Sequence, residues 1–355
     1  HKQDIIDLDL LYILEVNMQS VEVKKAEKMQ EVKQGKSGLN VDIVKYRNFW
    51  LGASLAVLIP GMIAVCICMV RFGSPIKLGL DFTGGTKLEY KFPHEIKIDE
   101  VRTLLDTYNL GGSNIQLSKV VADGSQVLII RSKALSERKS TQTSTSEKEK
   151  IDGALTQSFG QFETLSIDTV SPVIGPELLT SGLLALLFTL IGIVTYISYR
   201  FKRDYAVCAI IALLHDVMVL VGLFSIFSLI WGIEIDSLFI TAALTVIGFS
   251  VHDTIVVFDR IRENSKFLAK NKTFGEIAND SINQTLVRSI NTSLTTLITL
   301  GTLYLLGGET TKLFVGAMFL GIASGTYSSI FVASALLVWW RELAKKKRLK
   351  TIKVV

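Results

Sequence analysis

The chain has 355 residues, of which 49% are hydrophobic and 20% charged, and its mean hydropathy is +0.40. Its apolar residues are gathered in long blocks, which excludes an ordinary soluble globular domain. The net charge of +5 needs no nucleic-acid partner, because the excess Lys and Arg lies between and after those blocks, where it attracts anionic membrane lipids.

Residues 1–48 are charged and mixed, with a helix-prone stretch at 21–34, and read as a cytoplasmic N-terminal extension of unassigned function. The first residue is not Met, which points to a fragment or a processed product. Residues 40–48 look like a short amphipathic approach to the first of six runs close to the roughly 20 apolar residues that span a bilayer. The runs cover 49–70, 178–199, 205–231, 237–258, 287–307 and 312–340. The first lacks an A-x-A cleavage region and is too long for a simple signal peptide, so it reads as a retained anchor. Basic residues resist translocation. Lys45, Arg47, Arg200, Lys202, Arg203, Arg260, Arg262, Lys266, Lys270, Lys272 and the tail from Arg341 to Lys350 therefore belong inside, which makes both termini cytoplasmic. The connections Gly232 to Asp236 and Gly307 to Lys312 fall outside, together with the long segment 71–177.

That exported segment changes to short alternating patterns. Strands are expected at 86–92, 114–121, 125–131 and 162–170, and helices at 98–110 and 147–160. Gly111-Gly112 ends the first helix, Ala122-Asp123-Gly124 turns a hairpin, and 132–146 is polar. The order β-α-β-β-α-β is the ferredoxin-like arrangement. Ahead of the first strand stands GLDFTGGT, from Gly79 to Thr86. Its glycines Gly79, Gly84 and Gly85 permit positive φ and close backbone approach, and Asp81 sits among them. With no Lys-Ser pair of the phosphate-binding kind and no following helix, the motif reads as a structural turn. Residues 178–340 would then form a five-helix bundle, and 341–355 a basic cytoplasmic tail. Cys66, Cys68 and Cys208 lie in apolar helices and read as small packing residues, leaving the exported segment without disulfide or thiol metal site.

Ionisable residues inside apolar spans mark functional sites, since a carboxylate there costs about 2.5–3.5 kcal/mol. Asp253 lies near the inner end of the fourth span and Arg288 near the inner start of the fifth, so the two can meet. Burial raises a carboxyl pKa and a nearby cation lowers it, a balance suited to a proton carrier. His252 can relay a proton near neutral pH, but adjacent helical residues point about 100° apart, and a hydrogen-bonded packing role competes. Asp216, halfway along the third span, reads equally as a structural partner or a functional group. Thr292, Thr295, Thr299 and Thr302 continue a stripe from Arg288, and Thr241, Thr245, Gly248 and His252 form another; interhelical packing is the simpler reading of both. Asp259, Arg260, Arg262 and Glu263 read as an interfacial charge network, and Gly321 with Gly325 as a close-packing face.

GLDFTGGT, VSPVIGPEL at 170–178, RFKRDYAVCAIIALLHDVMVLVGLFSIF from Arg200 and TVIGFSVHDTIVVFDRIREN from Thr245 resemble the SecD/SecF family of protein-export membrane proteins, within the resistance-nodulation-division superfamily. The resemblance spans residues 40–340. It implies six transmembrane helices with one exported ferredoxin-like domain, and proton transport involving Asp253 and Arg288; His252 departs from the more usual Asn. It further implies a SecD-like subunit, the SecYEG translocon, YajC and a translocating preprotein as partners. The setting would be a bacterial inner membrane or a thylakoid. The expected activity is proton-driven assistance of protein export, with no enzyme chemistry, cofactor or metal. Two alternatives stay open: a proton-coupled lipid or small-molecule exporter of the same superfamily, and an intramembrane metallohydrolase built on His215-Asp216 and His252-Asp253.

Overall fold

A computed structural model describes residues 41–108, 110, 113–119, 125–132, 147–171 and 173–352. The extension 1–40, the Gly111-Gly112 stop, the Ala122-Asp123-Gly124 turn and the polar stretch 133–146 lie outside the described residues. The elements in chain order are α1 (Arg47–Phe72), α2 (Leu80–Thr83), β1 (Gly85–Phe92), α3 (Ile98–Thr107), β2 (Asn114–Lys119), β3 (Gln126–Ser132), α4 (Glu147–Phe159) and β4 (Glu163–Val170). Then follow α5 (Ile174–Arg200), α6 (Arg203–Trp231), α7 (Ser237–Leu268), α8 (Phe274–Leu306), α9 (Glu309–Tyr327), a π-helical segment (Ser328–Ala333) and α10 (Ser334–Ile352). The chain divides into two compact units: residues 68–189 with 230–240, and the remainder.

In the sheet unit, the strands lie in the order β2-β3-β1-β4, every pair antiparallel. The alternation of β1 sends Leu88, Tyr90 and Phe92 to one face, where β3 adds Leu128 and Ile130. Val101 and Leu105 of α3 and Ile151 and Leu155 of α4 close over them. All nine are essentially excluded from solvent, and side chains of this kind each contribute roughly 1.5–3 kcal/mol on burial. The Tyr90 hydroxyl donates to Asp152 at 2.5 Å, so the one polar tip in this core is satisfied.

Among the described residues, five helical stretches are long and apolar enough to cross a membrane: Arg47–Phe72, Ile174–Arg200, Arg203–Trp231, Ser237–Leu268 and Thr311–Lys346. The run expected at 287–307 is helical as far as Leu306 and belongs to α8, which is not among them. Its Ser, Thr and Asn residues dilute the apolar stretch.

In the helical unit, glycines set the closest approaches. A Cβ on Gly222 of α6 would sit 2.8 Å from the Gly61 Cα of α1, so these helices cross backbone to backbone. Gly321 and Gly325 of α9 lie against Val246 and Ser250 of α7, the close-packing face expected of that pair. Thr273 and Glu276 form a capping box that starts α8. Asn279 and Asn283, two turns further in, accept from the backbone N–H groups of Ile43 (2.9 Å) and Val41 (3.0 Å) and hold the approach to α1.

Candidate functional site

Among the described residues, two buried carboxylates occupy the helical unit, and their surroundings differ. Asp216 on α6 is 1% exposed and has donors on both oxygens. His215 Nδ1 lies 2.9 Å from Oδ1, while the hydroxyls of Ser328 (2.6 Å) and Ser250 donate to Oδ2. His215 Nε2 is 2.5 Å from Ser54 Oγ on α1. A neutral imidazole with its proton on Nδ1 satisfies every member: Ser54 donates to Nε2, and Nδ1–H donates to Asp216. Residues from α6, α7 and the π-helical segment thus meet at one carboxylate, and α1 joins them through His215. The π segment begins at Ser328, and such local widenings recur at functional positions.

Asp253 on α7 is 3% exposed and lies beside the hydroxyls of Ser293 on α8 and Thr326 on α9. Those hydroxyls are already engaged: Ser293 donates to Ser289 O at 3.0 Å, and Thr326 points to Ser293 Oγ at 2.7 Å and to Ile322 O at 2.9 Å. Asp253 Oδ2 is buried and has no hydrogen-bond partner among the described residues. An ionised carboxylate with an orphaned oxygen is costly in a low dielectric, whereas bound hydrogen at that oxygen removes the charge and supplies a donor.

The structure does not bring Asp253 and Arg288 together. Arg288 is exposed on α8, and no ion pair between the two occurs among the described residues. The physical reason is helix rotation: Ser289 and Ser293 take the inward face of α8, so Arg288, one residue back, points away. His252 is likewise exposed beside a buried Asp253, as the rotation per residue predicts. The two polar stripes are real, but they face outward. Thr241, Thr245, Gly248 and His252 are exposed on α7, as are Thr292, Thr295 and Thr299 on α8. The threonines bond within their own helices: Thr292 to Arg288 O at 2.9 Å, Thr299 to Thr295 O at 3.0 Å and Thr302 to Ile298 O at 2.9 Å. At the basic end, Asp259 pairs with Arg262 (2.8 Å) and Arg200 (3.2 Å), and Arg260 with Glu263 (3.0 Å), so these charges are paired within α7 and with the end of α5.

The GLDFTGGT motif in the sheet unit is a fastening, with a single helical turn, α2, inside it. Gly79 N–H donates to Ile235 O at 2.8 Å and Ile235 N–H to Lys77 O at 2.9 Å, which pins the motif to the α6–α7 connection. A Cβ at Gly79 would lie 2.7 Å from Ile235 O. Gly84 and Gly85 take φ of +70° and +131°, and a Cβ on Gly85 would overlap Ser132 O. Asp81 accepts from Ser237 N–H (2.9 Å) and Oγ (2.6 Å), anchoring the first residue of α7. Beside it, burial and then the charge of Asp81 push the Asp236 carboxyl above the usual carboxylate range, opposed by the Phe239 N–H it accepts. Glu234 in the same connection pairs with Lys77 (2.7 Å) and Arg131 (3.3 Å).

Sequence reasoning missed Ser54, Ser250, Ser328, Ser293 and Thr326 as neighbours of the two carboxylates. Isolated hydroxyls in apolar runs were the available signal, but nothing local distinguishes those facing a carboxylate. Among the described residues, no three His, Cys, Asp or Glu side chains gather as a metal site.

Residues 150–343 match the family described as protein export membrane protein SecD/SecF, C-terminal, and residues 72–92 match the SecD/SecF GG motif. Relatives called protein translocase subunit SecF include one from Synechocystis, 42% identical over 87% of this chain and 97% of its own length. Another, from Thermobaculum terrenum, is 43% identical over 84% of this chain and 94% of its own. Among solved structures, SecDF of Thermus thermophilus, a translocon-associated membrane protein, superposes with a TM-score of 0.72 at 31% identity. That match covers 86% of this chain and 39% of the SecDF chain, so the present chain spans about two fifths of it. With five membrane-length apolar helices besides, this is an integral membrane protein. The chain belongs to the SecD/SecF family of protein-export membrane proteins.

Proposed function

We propose that the chain is an accessory subunit of the Sec protein translocase that takes up and releases protons at Asp253 to promote preprotein movement and release on the outer side. The observation that carries this reading is the buried Asp253 Oδ2, without a hydrogen-bond donor in a membrane-length helix. Charging and neutralising such a group alters which arrangement of α7, α8 and α9 is favoured, because Ser293 and Thr326 of the latter two line it. Asp216 differs, since its oxygens already have three donors. It serves the same cycle as a fixed point between helices.

A SecD-like partner half completes the bundle. Supporting this are the 39% coverage of the SecDF chain and the exposed polar stripe residues His252 and Arg288, which lipid would not favour. The partner and the protons would meet at those two residues, with the SecYEG translocon supplying the preprotein. A sixth span over 287–307 and cytoplasmic termini are supported by the helicity of α8 and by the basic residues gathered at one end of the spans. The ferredoxin-like reading of the exported unit is supported by its element order and the strand order β2-β3-β1-β4.

The test is export into vesicles carrying the Asp253→Asn variant with its SecD-like partner. Proton-dependent export is expected to disappear while the variant inserts and co-purifies with the partner; full export by the inserted variant defeats the reading.

A further inference from the structure

Beyond proton coupling, and independently of it, we infer that the basic end of the helical unit contains a binding pocket for the phosphate-bearing headgroup of an anionic phospholipid. A cavity of about 510 Å³ opens there, between the α5–α6 connection, the start of α6, the last turns of α7, the start of α8 and α10. Its lining includes Lys202, Arg262, Lys266, Lys272, Arg341 and Lys345, and no acidic residue.

Three of these cations are fixed by carboxylates set behind them. Arg341 bonds Asp204 through Nε and a terminal nitrogen, both at 2.7 Å, with its guanidinium 4.1 Å from the Phe274 ring and 5.1 Å from that of Tyr205. Arg262 pairs with Asp259 at 2.8 Å and Lys272 with Asp280 at 2.5 Å. Lys202, Lys266 and Lys345 make no ion pair among the described residues. The cavity therefore keeps three uncompensated positive charges around a rigid, aromatic-clamped arginine.

The position selects the ligand. The pocket sits where apolar helices give way to charged residues, the level at which lipid phosphates lie, and basic pockets between membrane helices recognise such headgroups. Phe274 and Tyr205 extend the lining with ring surface suited to that interface.

The full chain, delipidated in neutral detergent, is offered phosphatidylglycerol or phosphatidylcholine and observed by native mass spectrometry. Phosphatidylglycerol is expected to bind and phosphatidylcholine not. Each basic residue near an anionic surface is worth roughly fivefold in binding, so the variant K202Q/K266Q/K345Q should bind phosphatidylglycerol roughly a hundredfold more weakly. A second variant, R203Q/K270Q/K346Q, removes the same charge from neighbouring exposed positions that do not line the cavity and should keep binding. Equal binding of both lipids, retention by the first variant or an equal loss in the second overturns the inference. Displacement of the lipid by millimolar inorganic phosphate also overturns it, since that would identify a site for soluble anions.

Discussion

Replacing Asp216 with alanine should loosen the helical unit, while Asp253→Asn should not. Asp216 collects three buried donors from three elements: His215 Nδ1, Ser250 Oγ and Ser328 Oγ. The alanine variant leaves all three without their acceptor. Ser328 has a fallback, since Gly325 O lies 3.2 Å from its hydroxyl. Side-chain hydrogen bonds in membrane bundles average about 0.6 kcal/mol and reach about 1.7, and bonds to a charged group elsewhere are worth about 1.5–3, so the sum is roughly 2–5 kcal/mol. At about 2–4 °C per kcal/mol for a unit of this size, the thermal midpoint should fall by roughly 4–20 °C. The assay is the fraction of monodisperse protein surviving a heating series in detergent, read by size-exclusion chromatography. Asp253→Asn removes a charge whose Oδ2 has no partner, so its midpoint should equal or exceed that of the unaltered chain. Adding Ser328→Ala to Asp216→Ala should cost little more, because the bond is already gone. An Asp216→Ala midpoint within about 2 °C of the unaltered protein, a shift below that of 1 kcal/mol, would refute the idea that this carboxylate ties the helices.

Three further outcomes follow from the packing and the caps. Glu276 is held below the usual carboxylate range by the Thr273 backbone N–H and then by its hydroxyl. A depressed folded value means that the cap stabilises α8 fully above the unfolded pKa of about 4.3 and loses that contribution as pH falls through the folded value. Relative to the intrinsic rate at each pH, hydrogen exchange at residues 273–277 should accelerate as pH falls through the folded value, and Glu276→Gln should abolish the dependence. Gly85→Ala forces a side chain into φ +131° and onto Ser132 O, at a cost of about 1–3 kcal/mol from the backbone conformation alone. Faster limited proteolysis of the sheet unit should report it. Gly222→Ala must push α6 away from the Gly61 backbone and should cost about 1–3 kcal/mol, visible as a lower thermal midpoint; an unchanged midpoint would deny the close crossing.

Local chemistry along the chain settled the elements. The apolar runs became helices, and the alternation at 86–92 put Leu88, Tyr90 and Phe92 into one core, because hydropathy and periodicity act over a few residues. The paired glycines at the start of β1 marked a structural turn, though not its fastening to Ile235 and Ser237, 156 residues away. The partners of the membrane carboxylates were a tertiary matter. Topology put Asp253 and Arg288 at the same depth, but whether they meet depends on the rotation of α8, and a single residue step of about 100° separates inward Ser289 from outward Arg288. That rotation is fixed by packing, as Gly321 and Gly325 are fixed against Val246 and Ser250. Asp216, evenly balanced between structure and function on sequence grounds, became the better-satisfied carboxylate only when serines from three other elements converged on it and its histidine. A sequence can show that a charge lies in a membrane helix; only the assembled helices decide which oxygen of which carboxylate is left without a donor.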